Sequence, residues 1–270
     1  MKLLSDLTCS NGVPIRAEYR YRAQEAVRLE DIHKICHVSG IFYSEGRSSN
    51  MDDQELSEKQ LEEAKQEKLS ILEDALSAFD WLLKRKYKIT IAHNNKEIEI
   101  ELVFLQKTFI HVAGINKLSD ISFSTNTAHA ALYRNIVRNE DYRSQIASSV
   151  HFDDIVGRLY SIIDLKDNFE DAENNRHFKF VKKVGHNYTL IDYNFFIKSE
   201  YLEDTYYYFL RYSGNPNNQN ECILISTFIE NFKNYSIGQE PMTLLKKVIV
   251  ELDSGQETVI YNWSQKRSSI

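Results

Sequence analysis

The sequence predicts an α+β protein, with N-terminal helices followed by a mainly antiparallel C-terminal sheet. Three observations predict it. Residues 55–86 carry apolar side chains at helical spacing. "YKITIAHNNKEIEIELVFL" (87–105) alternates on both sides of an Asn–Asn pair, as a β-hairpin does. From residue 177 onward the apolar period drops to two, the period of strands.

Each element has its own signals. In 1–43, "EAVRLEDIHKICHVSGIF" has partly helical spacing and Gly40 as a stop. Residues 44–54, "SEGRSSNMDDQ", read as a linker, so 1–54 form an N-terminal segment and 55–270 one domain with a leading acidic helix. In that helix Ser57 and Gln60 fit a capping box. Leu61, Ala64, Leu69, Leu72, Ala75, Leu76, Phe79, Leu82 and Leu83 mark its apolar stripe, and Lys84, Arg85 and Lys86 suit its last turn. The hairpin turns at Asn94–Asn95, which pairs Ile91 with Ile98, Ile89 with Ile100 and Lys88 with Glu101. Residues 106–118 suggest a short helix, 127–165 mostly helix, and 166–176 an exposed loop. The strand candidates are 177–184, 188–198, 205–213, 221–229, 243–253 and 257–263, with turns at Gly185–Asn187, 213–220 and Ser254–Gly255. Pro216 and Pro241 are expected between strands, since proline lacks an amide donor.

Composition narrows the function classes. The chain has 270 residues, 42% of them hydrophobic, including 16 Tyr and 14 Phe, enough for a sizeable core with sheet-rich packing. The net charge of −6 comes from residues 45–75, which hold ten acidic and four basic side chains; the remainder carries 29 of each sign. The acidic run fits a solvated helix face. A strongly basic nucleic-acid binder is excluded, and any RNA contact must use a local patch. Three cysteines without regular spacing argue against a disulfide framework and for the cytoplasm. Neither a signal peptide nor a membrane-spanning run is evident. His33, Cys36 and His37, with Cys9 upstream, fit no zinc spacing, so neither a metal nor a cofactor is expected.

The chemistry-bearing residues are few. In "FIHVAGINKL" His111 is either a core histidine satisfied by a carbonyl or a proton-transfer group, since imidazole titrates near neutrality. In a regular helix Lys107 lies one turn before it, and Lys117 about 120° further round. On the strand 205–213, Thr205, Tyr207, Phe209 and Arg211 share a face, which is either an aromatic core ladder or a base-stacking and phosphate-clamping surface. In "ECILISTFI", Ser226 alternates with Leu224 and Phe228, and Thr227 with Ile225 and Ile229. A hydroxyl there needs a partner or a ligand. Asp192, His186 and Tyr235 are lesser candidates.

Phe109, His111, Gly114 and Ile115 form an F-x-H-x-x-G-[LI] core followed by "NKL". Together with "DY", "YYFL", "STF" and "NY…GQ" further on, this resembles the fourth phage-associated family of BECR nucleases, over roughly residues 75–263. BECR denotes the fold of barnase, EndoU, colicin-type RNases and RelE toxins. Val112 and Ile115 depart from the leucines the pattern favours. The resemblance implies a phage- or mobile-element-type endoribonuclease that works without metal, by 2′-OH attack on the adjacent phosphate. Such a reaction needs a base, an acid and cations for the phosphoryl oxygens. The implied set is His111 for proton transfer, Arg211 and Lys117 for the phosphate, and Ser226 for a hydrogen bond, with Lys107, Tyr207 and Thr227 at the substrate. The implied partners are RNA, single-stranded or tRNA-like, and an inhibitor or antitoxin protein. The alternative is a BECR-fold binding module, inactive as a catalyst, or a toxin-like interaction protein.

Overall fold

The computed structural model describes residues 51–123, 127–170, 178–183, 189–201, 204–230 and 234–264. The chain divides into two compact units, Met1–Gln60 and Leu61–Ile270. Of the first, only the helical segment from Met51 is described. The expectations for residues 1–43, the 185–187 turn with His186, and the Cys9, His33, Cys36 and His37 group lie outside the described residues.

Helix α1 spans Met51–Leu83. It is already helical at 51, so Ser57 lies inside it and the expected capping box is not its start. Its buried stripe runs through Leu69, Leu72, Ala75, Leu76, Phe79 and Leu82, whereas Leu61 is exposed. The expected basic last turn is absent, because Arg85 and Lys86 enter strand β1 (Arg85–His93). The sheet ladder takes those two residues: Lys86 pairs with Val103 on one side and Val250 on the other.

The hairpin has the register its sequence predicts. β2 spans Lys96–Val103, and Ile91 faces Ile98, Ile89 faces Ile100, and Lys88 faces Glu101. Asn94 and Asn95 both have positive φ, 50° and 60°, as a two-residue turn of matching twist requires. The charges pair differently. The Lys86 ammonium meets Glu101 at 3.0 Å, and that of Lys88 reaches Glu257 at 2.6 Å.

Residues 106–118 are not one helix. A 3-10 turn (Gln106–Thr108) leads into α2 (Phe109–Val112); Gly114 then takes a left-handed conformation, φ 78°, before a second 3-10 turn (Ile115–Lys117). The expected helical stretch 127–165 is three helices, α3 (His129–Arg138), α4 (Glu140–Ala147) and α5 (Asp153–Ile163). Asn139 separates the first two by accepting a bond from the Asp141 amide, an N-cap. The expected loop at 166–176 begins instead as α6 (Leu165–Glu170), whose Leu165 and Phe169 are buried.

The later strands are β3 (Phe178–Lys182), β4 (Phe195–Tyr201), β5 (Asp204–Tyr212), β6 (Glu221–Ile229), β7 (Glu240–Glu251) and β8 (Glu257–Asn262). Pro241 lies inside β7 opposite Val181, next to the strand's first residue, rather than between strands. The sheet runs β1-β2-β6-β5-β4-β3-β7-β8, and β1 also pairs with β7, so seven strands close on themselves with β8 outside. Closure leaves fewer open edges. All pairings are antiparallel except β2–β6. The class is α+β, as the sequence predicts.

Two cores share the sheet. The larger contains α1, α2 and α5 side chains with Ile89, Ile100, Tyr206, Tyr208, Leu210 and Leu224; the smaller, on the other face, has Val181, Tyr193, Phe196, Tyr207 and Phe209. A buried polar network fixes α5 and α6 against the sheet. The Tyr206 hydroxyl donates to Asp164 (2.7 Å), Asn168 donates to Tyr208 (2.8 Å), and Ser199 donates to Asn168 (3.0 Å). Each buried polar group so paired avoids a desolvation penalty of about 1–3 kcal/mol.

Candidate active site

α2 is buried at every position except His111. Phe109 packs on Phe79 (5.0 Å between ring centroids) and on Tyr133 (5.2 Å), and Ile110 and Val112 are also buried. The imidazole is therefore held outward by a helix that cannot rotate without exposing three hydrocarbons. It meets the edge of the His129 ring, at the start of α3, with centroids 4.7 Å apart.

β2 and β6 pair only over Glu101–Val103 and Glu221–Ile223. Beyond that point α2 and α5 approach the β6 flank. Arg158 of α5 lies at this junction. One of its Nη atoms donates to the His111 carbonyl (3.3 Å) and to Ser226 Oγ (3.1 Å), and the guanidinium lies over the Phe228 ring, 4.5 Å from its centroid. Gly114 makes room for its stem: a Cβ there would stand 2.7 Å from Arg158 Cδ.

Two basic side chains influence each other at this junction. Burial pushes the Arg158 pKa down to about 10, still far above neutrality, so the group stays charged. Among the described residues no carboxylate forms an ion pair with it. Burial, and then the charge of Arg158, lower the Lys117 pKa, with Asp154 opposing. Two cations that repel each other favour an anion between them. Burial, and then repulsion from His129, lower the His111 pKa, which favours its neutral imidazole.

A model of the family described as "phage-Barnase-EndoU-ColicinE5/D-RelE like nuclease4" matches residues 71–262. The chain belongs to this nuclease family. No curated protein and no solved structure matches it.

Among the expected residues, the structure brings Ser226 and the His111 carbonyl into hydrogen-bond contact with Arg158, and Lys117 close enough to feel its charge. Arg211 is elsewhere: it is exposed at the end of β5, 3.6 Å from Asp192, and its strand partner Ile223 precedes Ser226 by about 10 Å of strand. Tyr207 and Thr227 are fully buried on opposite faces of the sheet, which corrects their expected contact with substrate. The Tyr207 hydroxyl is already used, donating to Glu230 (2.8 Å) and approaching Asn234 (3.2 Å). Lys107 is exposed on the 3-10 turn before α2. Ser226 keeps the expected company of Phe228 but not of Leu224. A β-bulge at Ile225 turns Leu224 to the opposite face, where it pairs with Leu210.

Two residues at this candidate site, Arg158 and His129, were not among the sequence candidates. Arg158 did leave a signal. With Ile155, Leu159 and Ile162 it falls on one helical stripe, and a lone charge on an apolar stripe is either unstable or functional. His129 left none, because its nearness to His111 depends on how α2 and α3 pack. Among the described residues no three His, Cys, Asp or Glu side chains gather so as to hold a metal ion, and no helix is long and apolar enough to cross a membrane.

Proposed function

We propose that this nuclease is an endoribonuclease that needs no metal and cleaves by attack of a ribose 2′-hydroxyl on the adjacent phosphate. The observation that carries the reading is Arg158: a half-buried guanidinium that forms no ion pair with a carboxylate among the described residues and donates to the backbone carbonyl of His111. A phosphodiester between Arg158 and Lys117 would satisfy both cations. His111, neutral, takes the 2′-OH proton; the 2′-oxygen bonds to phosphorus, and the bond to the 5′-oxygen breaks. His129 gives a proton to the leaving 5′-oxygen. The products are a 2′,3′-cyclic phosphate and a 5′-hydroxyl. The proximity of the two rings suits this division of labour, since a proton on His129 raises the cost of one on His111. Arg158 and Lys117 stabilise charge on the phosphoryl oxygens, and Ser226 holds the guanidinium in place.

In this reading the substrate is single-stranded or tRNA-like RNA met in the cytoplasm, and an antitoxin-type inhibitor would act by covering the Arg158–Lys117 cations. The test is incubation of purified protein with end-labelled RNA in excess chelator. Cleavage to cyclic-phosphate ends, reduced about 10²- to 10⁴-fold in His111→Ala with an unchanged circular dichroism spectrum, supports the reading. Wild-type protein that cleaves none of a varied RNA set, or a His111→Ala variant of full activity, overturns it.

A further inference from the structure

The smaller aromatic core reaches the Arg158 site without a gap. Phe228, under the guanidinium, and Tyr235, beyond it, both pack against that core. Tyr235 belongs to the turn after β6 and is half-buried. Its ring is fixed from three sides: nearly parallel to Phe228 (5.7 Å, 27°), and edge-on to Tyr207 (5.1 Å, 71°) and Phe209 (5.4 Å, 86°). Arg158 is close enough to perturb ionisation of the Tyr235 hydroxyl. A cation with no carboxylate ion pair among the described residues and a half-buried aromatic ring fixed by its neighbours thus lie side by side. A nucleotide offers the complementary pair, a phosphate and a π-face.

The geometry points to a nucleobase subsite on Tyr235, which stacks the base next to the phosphate held at Arg158. The inference rests on the nuclease reading above. Phe228 is the poorer platform because the guanidinium already covers it. Tyr235 is held at a set angle before the substrate arrives, so little ordering is lost on stacking. Base–aromatic stacking tolerates all four bases, so the subsite contributes affinity and register rather than a strict sequence code.

The test crosses a protein variant with a substrate variant. Wild type, Tyr235→Phe and Tyr235→Leu are assayed on one RNA of known cleavage site and on the same RNA with an abasic nucleotide flanking that site. A 2′-deoxy version that cannot be cleaved measures binding by fluorescence anisotropy. The expected result is a loss of about 5- to 100-fold for wild type on the abasic RNA. Tyr235→Leu loses a similar factor on the intact RNA and nothing further on the abasic one, and Tyr235→Phe matches wild type. A purely structural role for Tyr235 would slow both RNAs equally, and that outcome overturns the subsite. So does wild-type cleavage indifferent to the missing base. If wild type cleaves nothing but binds the deoxy strand through Tyr235, the nuclease reading fails and the subsite stands. If it neither cleaves nor binds, both fail.

Discussion

Replacing Gly114 with alanine should disarm the site from outside it. Two costs are readable in the structure. Gly114 has φ 78°, a left-handed conformation that costs a residue with a Cβ about 1–2 kcal/mol. The added Cβ would also stand 3.0 Å from Ile155 Cγ2 and 2.7 Å from Arg158 Cδ. Ile155 is fully buried and cannot retreat, so crowding there adds about 1–3 kcal/mol. The Arg158 stem is freer and should swing away, carrying its guanidinium off Ser226 and the His111 carbonyl. The expected stability loss is about 2–5 kcal/mol in total, measured by urea unfolding. The expected loss in kcat is about 10²- to 10³-fold, the usual effect of removing one charge-stabilising donor. Gly157, the neighbour of Arg158 within α5, is the matched control: a Cβ there meets nothing within 4 Å. Gly157→Ala should stabilise by about 0.5–1 kcal/mol and leave cleavage unchanged. The double variant Gly114→Ala, Arg158→Ala should be no slower than Arg158→Ala alone. Full activity in Gly114→Ala, or multiplicative losses in the double variant, would refute the idea that Gly114 acts through Arg158.

Two further outcomes are expected. His129→Gln removes the charge that depresses His111, so the His111 titration followed by NMR, and the acid limb of kcat/KM, should move to higher pH; a shift to lower pH or none would contradict the pairing. Arg211→Ala should change cleavage by less than about threefold and stability by less than about 1 kcal/mol, because its partner Asp192 is exposed and surface ion pairs contribute little. A loss as large as that of Arg158→Ala would return Arg211 to the site.

Parts of this architecture were legible before any coordinates. The hairpin register was, because alternation and an Asn–Asn turn independently select the same pairs. The C-terminal strands were, because period two survives without knowledge of their partners. Their ends were less so: Leu165–Glu170 is helical because Leu165 and Phe169 find buried positions, which a polar-looking stretch conceals. The site was half legible. His111 and Ser226 stand in recognisable local contexts, but alternation misplaced Leu224, since one bulged residue at Ile225 inverts the face of everything before it. The guanidinium of the proposed site belongs to α5, not to the strand from which the sequence reading took it. A strand arginine next to aromatics looked like a clamp, while Arg158 looked like an ordinary helix residue.

By itself the sequence determined what depends on near neighbours along the chain: helical and strand periods, the hairpin turn, and a histidine set in a run of hydrocarbon. Tertiary structure alone decided which cation lies near that histidine. Arg158 lies 47 residues from His111 and 68 from Ser226 along the chain. They meet because β2 and β6 part after three paired residues and α5, fixed to the sheet by Asp164 and Asn168, lies against the exposed flank. Contacts of that kind depend on how whole elements pack, and no local pattern records them.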